Sequence, residues 1–217
     1  MEKTRIDPLI QLESRFARAA KALGANADSS ILFRSLVDRY ADPRRRYHDL
    51  SHVEACLRLL DRFRLRAERP AEVELALWFH DAIYEPSRND NEARSGALAA
   101  AGLAALGAAR GAIDRVVEAI EATRGHDAES GDAALVVDLD LAILGAPPEV
   151  FRDFERRIRQ EYAHVPEDLF RAGRRAVLSR FLTRPRIYRV PPIAAEREAQ
   201  ARRNLAAGIL ALDSGAD

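Results

Sequence analysis

Apolar residues recur along the chain at spacings of three and four, the period of a helix with one buried face. Val53, Leu57 and Leu60 keep it, as do Phe151, Phe154, Ile158 and Tyr162, then Phe170, Val177 and Phe181, and finally Leu205, Ile209 and Leu212. Start and stop residues cut this pattern into about nine or ten helices. Asp7-Pro8 reads as N-cap and first helical position of a helix running to about Leu23, with Gly24 as its stop. A second helix covers about Ser30 to Tyr40, where Asp42-Pro43 breaks it. Ser51-His52-Val53-Glu54 has the form of a capping box, with Ser51 as N-cap and Glu54 reaching back; it opens a third helix that ends near Arg66. Pro70 opens the fourth. The fifth starts near Asn89 or Asp90 and runs to Leu106, the sixth spans about Ala112 to Thr123, and the seventh starts after Gly131 and stops at Gly145. Pro147-Pro148 and Pro166 open the eighth and ninth. Pro185 to Pro192 reads as a loop, and the last helix runs from about Ala194 to Leu212. The nearest thing to a strand, Leu135 to Val137, is short and continues better as helix. With no repeat and no long linker, the expectation is an all-α fold with one domain over residues 1–217.

Two segments depart from the one-faced pattern. Leu75 to Phe79 is apolar on most sides and runs straight into His80-Asp81. Val136-Val137-Asp138-Leu139-Asp140-Leu141 places two carboxylates inside an otherwise apolar helix. Ionisable groups beside such runs are costly to bury unless something compensates them.

Composition narrows the classes. Apolar residues make up 47% of the 217, enough for a substantial core and too many for a disordered chain. Lys plus Arg equal Asp plus Glu at 34 each, which argues against a general nucleic-acid binder or an anionic-membrane binder. Lys3 and Lys21 are the only lysines, so the positive charge is almost wholly arginine. Cys56 is the single cysteine; it excludes an intrachain disulfide and a thiolate zinc cluster, and its apolar stripe suits a small core residue. The N-terminal residues lack the apolar stretch of a secretory signal. No segment approaches the roughly 18 apolar residues of a membrane-spanning helix. A cytoplasmic protein is expected, and a homo-oligomer is left open.

Four of the five histidines, His48, His52, His80 and His126, fall at helix ends or in loops against them. Imidazole nitrogens and carboxylate oxygens are both ligands for first-row divalent metals. The bland alternative for each is a histidine hydrogen-bonded near a helix end. For His164, before Val165-Pro166, that alternative is the expected one.

The order His52, His80-Asp81, Asp140 resembles the HD superfamily of metal-dependent phosphohydrolases. Several further stretches resemble a subgroup of HD-type hydrolases of uncharacterised substrate. They are Tyr47-His48-Asp49-Leu50-Ser51-His52, Phe79-His80-Asp81-Ala82-Ile83-Tyr84, Asn91-Glu92-Ala93-Arg94-Ser95, Thr123-Arg124-Gly125-His126, Asp138 to Gly145, and Arg202-Arg203-Asn204-Leu205. The resemblance implies a helical HD-domain bundle and a divalent metal (Mn, Mg, Fe, Co, Ni or Zn) held by His52, His80, Asp81 and Asp140, with Asp138 as a cap or supporting residue. Asp81 and Glu92 are then the expected catalytic carboxylates; the alternative for Glu92 is the third position of a capping box begun at Asn89. His48 and His126 would bind either a second metal or the substrate's phosphate. Arg46 and Arg124, with Arg44 and Arg45 beside them, are candidate phosphate donors, and Tyr84 and Ser95 candidate substrate contacts. The implied activity is hydrolysis of a phosphate ester of a small metabolite or nucleotide by metal-activated water. A di-iron oxygenase and a metal-containing binding module without turnover are the alternatives. Alarmone hydrolysis and cyclic-dinucleotide hydrolysis are less favoured. Ala82-Ile83-Tyr84 stands where the former shows Glu-Asp, and the Gly-Tyr-Pro signature of the latter is absent.

Overall fold

The structure, a computed structural model, describes residues 8–214; the Asp7 cap expected for the first helix lies outside them. In chain order the elements are α1 (Pro8–Ala22), α2 (Ser30–Tyr40), α3 (Leu50–Phe63) with a 3-10 turn (Arg64–Arg66), α4 (Pro70–Phe79), α5 (Asn91–Ala105), α6 (Arg110–Gly125), α7 (Gly131–Asp140) with a second 3-10 turn (Leu141–Gly145), α8 (Pro148–Glu161), α9 (Glu167–Leu182) and α10 (Pro191–Ser214). Among the described residues the fold is all-α, with ten α-helices and no strand.

The helix at the centre is α4. Val73, Leu75, Ala76, Leu77, Trp78 and Phe79 are each 1% exposed or less, as expected of a helix apolar all round. It packs against α1, α3, α5, α6 and α7. Phe16 and Phe33 set their edges on Trp78 at centroid distances of 5.8 and 5.6 Å. The one buried charge in α4, Glu74, is compensated by Arg15 at 2.9 Å and Arg64 at 3.6 Å. The second all-apolar helix, α7, packs against α3, α4 and α6. A single buried apolar cluster draws on all ten helices, from Phe16 in α1 to Leu205 in α10.

Three local readings of the sequence are corrected. The N-cap of α3 is Asp49, not Ser51: its carboxylate accepts from the Ser51 and His52 amides at 2.9 and 3.4 Å. A short carboxylate reaches two amides at once, so the helix starts earlier, and Glu54 pairs with Arg58 at 3.3 Å instead. Gly145 does not stop a helix through a left-handed φ. It ends the 3-10 turn where a Cβ would lie 2.6 Å from Cβ of Arg197 and 2.8 Å from its carbonyl oxygen, so it is the contact point with α10. Finally, Pro191 and Pro192 belong to the first turn of α10, where their missing amides cost nothing. Among the described residues no helix is long and apolar enough to cross a membrane.

Candidate metal centre

Because α4 is buried from Val73 onward and α7 from Ala134 to Leu139, their C-terminal ends are fixed side by side in the core. The first turn of α3 reaches the same place. His80 caps α4, Asp81 follows it, Asp140 ends α7, and His52 is the third residue of α3. Their polar atoms converge. Nε2 of His52 and Nε2 of His80 are 3.2 Å apart. Asp81 Oδ2 lies 3.1 Å from His80 Nε2 and 3.7 Å from His52 Nε2. Asp140 Oδ1 lies 3.2 Å from His52 Nε2 and 3.6 Å from His80 Nε2. Donor atoms of His52, His80 and Asp81 all fall within 4.8 Å of one another. Ligand atoms about 2.1 Å from one ion sit roughly this far apart.

The protonation of this group is constrained. Nδ1 of His80 donates to the Leu77 carbonyl at 2.9 Å, which leaves Nε2 as the nitrogen that faces the cluster. A lone pair there meets a buried second imidazole nitrogen and two half-buried carboxylates, all electron-rich. Burial alone would push His80 down, but Asp81 and Asp140 outweigh it and raise the ring well above the usual imidazole range. Burial likewise disfavours charge on Asp81 and Asp140, yet the facing histidines hold both carboxyls below the usual carboxylate range. The C-terminal ends of α4, α6 and α7 add partial negative charge from their carbonyls. The cluster therefore needs positive charge at its centre, as a proton on imidazole or as a cation.

The two aspartates of α7 part company. Asp140 joins the cluster. Asp138, fully buried, instead accepts from the Arg189 amide at 2.9 and 3.0 Å and the Val190 amide at 2.6 Å, tying α7 to the chain leading into α10. Burial raises its carboxyl to about 6 in spite of those amides. Asp138→Ala leaves two half-buried amides without their acceptor, so it should cost about 2–4 kcal/mol in denaturant unfolding while metal content stays unchanged. Loss of metal in a folded Asp138→Ala protein would contradict this division of roles.

A residue that the sequence did not single out organises the next layer. Glu161, at the end of α8, has a side chain 1% exposed. Its Oε1 accepts the amides of Arg46, Tyr47 and His48 at 2.8, 2.8 and 2.9 Å, and its Oε2 meets His48 Nδ1 at 2.7 Å. Burial would raise this carboxyl; the His48 ring and the amides outweigh it and bring it down to about 2. Tyr84 stacks on His48 with ring centroids 4.1 Å apart, and its hydroxyl donates to Glu161 Oε2 at 3.3 Å. Arg45 closes the arrangement from behind, donating to the carbonyls of His48, Asp81 and Ala82 at 3.0, 2.6 and 3.1 Å.

The remaining candidates divide clearly. His126 sits at the end of α6 with φ +49°, held by Arg184, whose guanidinium donates to the carbonyls of Gly125 and His126. Its Nε2 lies 3.2 Å from Asp140 Oδ2, the oxygen turned away from His52 and His80. Glu92, in the first turn of α5 at the second position and not the third, has no hydrogen bond or ion pair among the described residues. His48, Asp81, Tyr84, Glu92, His126 and Asp140 all line one cavity of about 500 Å³. Ser95 does not line it: its hydroxyl is taken up by the Ile83 amide and carbonyl at 3.0 and 3.3 Å, which shapes the turn after Asp81. Arg46 and Arg124 are exposed and lie outside the cavity wall, and Arg44 is paired with Asp42 at 2.6 Å. The arginines that do line the cavity are Arg174 and Arg180 of α9. His164 stacks beside Tyr162, away from the cluster. Cys56 is buried 3.8 Å from His52 Nε2, and burial pushes its thiol up, so it remains a neutral core side chain. No protein-family model, curated protein or solved structure matches the chain.

Proposed function

We propose that this chain is a divalent-metal phosphohydrolase that cleaves a phosphomonoester in the cytoplasm. One observation carries the reading: four side chains with ligand atoms, His52, His80, Asp81 and Asp140, converge in the core with no arginine or lysine among them, at the floor of a cavity. The residues present fit a cation, because both imidazoles can offer Nε2 and both carboxylates are held ionised. The resemblance of the same residues to the HD ligand set supports the same assignment. A bound divalent ion would supply Lewis acidity toward a phosphoryl oxygen and lower the pKa of a water.

The chain's own groups supply the rest. Asp81 and Asp140 line the cavity of about 500 Å³ and His52 and His80 do not, so a substrate held there meets the two carboxylates first. Glu161 fixes Nδ1 of His48 and leaves Nε2 as the ring nitrogen available to the phosphoryl group. Glu92, unpaired and lining the cavity, takes the proton of the attacking water. Water oxygen bonds to phosphorus, the phosphorus–oxygen bond to the organic group breaks, and the leaving oxygen receives a proton from Glu92 or solvent. The products are an alcohol and inorganic phosphate.

The test is phosphate release from a panel of phosphomonoesters by metal-loaded protein, with chelated protein as control. Glu92→Gln should lower kcat by about 10²- to 10⁴-fold with metal content unchanged. Metal-loaded protein that releases phosphate from no member of the panel would sink the hydrolase reading. A second reading, a two-iron oxygenase, is favoured by one contact: Asp140 stands between the two imidazoles on one oxygen and His126 on the other, as a carboxylate bridging two cations would.

A further inference from the structure

Beyond the cluster, the cavity runs outward between α8 and α9, and this outer wall is built of carbon. Phe154, Ile158, Phe170, Val177, Leu178 and Phe181 line it. The polar side chains there are few: Tyr162 at the end of α8, and Arg174 and Arg180 of α9. Arg174 donates from Nε and Nη2 to the Glu155 carboxylate at 3.0 and 2.6 Å and lies over the Phe154 ring at 5.1 Å. Arg180 is at the exposed rim, over Phe181. Leu169 is 61% exposed yet also lines the cavity, so the apolar wall continues to the solvent edge.

From this wall we propose that the organic group of the substrate is apolar, an alkyl or aryl monophosphate rather than a sugar phosphate or nucleotide. The proposal rests on the phosphohydrolase reading for its head group only. A phosphate at the cluster places the ester substituent against α8 and α9. There, most hydroxyls and ring nitrogens of a sugar or base would lose water without gaining a partner. Each methylene moved from water onto the same wall gains about 0.8 kcal/mol. The volume, about 500 Å³, is that of a small-molecule site and accommodates a chain of several carbons beyond the phosphate.

The experiment has two arms on the metal-loaded full chain. In the first, phosphate release is followed from ethyl, butyl, hexyl and octyl phosphate, a sugar phosphate and a nucleoside monophosphate. In the second, binding of the matching alkylphosphonates and alkyl carboxylates is measured by calorimetry. The expected result is a rise of about three- to fourfold per methylene in kcat/KM and in affinity, until the cavity is full. Val177→Asn, at a half-buried position on the wall, should flatten that rise. If affinity climbs with chain length but no phosphate is released, the hydrolase reading fails and the apolar site stands. Affinity independent of chain length, tighter binding of the sugar phosphate or nucleotide, or no binding by any member overturns the proposal whatever the turnover.

Discussion

Saturating Mn²⁺ or Co²⁺ is expected to raise the Tm of metal-free protein by about 5–15 °C, and Asp81→Ala to lose most of that rise. The reason is the cluster itself. Without a cation, its electron-rich atoms are reconciled by a proton on imidazole. Burial works against that proton, and Asp81 and Asp140 hold it on His80 well above the ordinary value of 6.5. The sign follows. In metal-free protein the protonated His80 contributes stability that is fully present below about pH 6.5 and is lost as pH rises through the raised value. A cation takes the proton's place, so its stabilisation should grow with pH over that same range, and binding should release protons. Asp81 is partly exposed at the cavity floor, so its truncation leaves the helices standing. Differential scanning calorimetry across a pH series reads all of this. A Tm rise that is independent of pH, or one that survives in Asp81→Ala, would place the cation elsewhere.

The second large effect belongs to Glu161. Glu161→Ala leaves the amides of Arg46, Tyr47 and His48 without an acceptor and is expected to cost about 3–5 kcal/mol, along with most of kcat/KM. Glu161→Gln separates the two losses. Its amide oxygen can still accept the three backbone N–H groups, but its NH₂ then faces His48 Nδ1 and forces that nitrogen to act as acceptor. Only the part of the stability that the three amides carry should return, while activity stays low and its pH profile moves. There is also an acid signature. The Glu161 carboxyl lies near 4.5 when unfolded and is brought down to about 2 in the fold. Its contribution, on the order of 3 kcal/mol, is present above pH 4.5 and is lost as pH falls through about 2. Urea unfolding from pH 6 to pH 2 should show this acid limb in the parent protein and a shallower one in Glu161→Gln. Equal limbs in the two would remove Glu161 from the account.

The helices were legible because their signals are local. Prolines at 70 and 148 open helices as their fixed φ allows, Pro166 stands just before a third, and the apolar run into His80-Asp81 marks the buried helix on which the site is built. The cluster was legible through residue types at helix ends and through the resemblance of their order to the HD ligand set; nothing in periodicity says that the ends of α4 and α7 and the start of α3 meet. Glu161 was hidden for a related reason. It is one more acidic residue on the amphipathic α8, and its partners lie 113 to 115 positions earlier. The phosphate-donor arginines were misplaced because Arg44, Arg45 and Arg46 adjoin His48 in the chain. Of these, one is paired with Asp42, one holds backbone carbonyls and one points to solvent. Capping was misread at Ser51 because a capping box and an aspartate cap two residues earlier share the same letters; the shorter reach of Asp49 decides it.

The central claim is that His52, His80, Asp81 and Asp140 hold one divalent cation. Anomalous diffraction from crystals of Mn²⁺- or Co²⁺-loaded protein tests it most directly. The account predicts a peak enclosed by the two Nε2 atoms and the Asp81 and Asp140 carboxylates, absent in Asp81→Ala. An additional peak beside His126 and Asp140 Oδ2 would select the two-cation reading. No peak at the cluster under saturating metal would contradict the account.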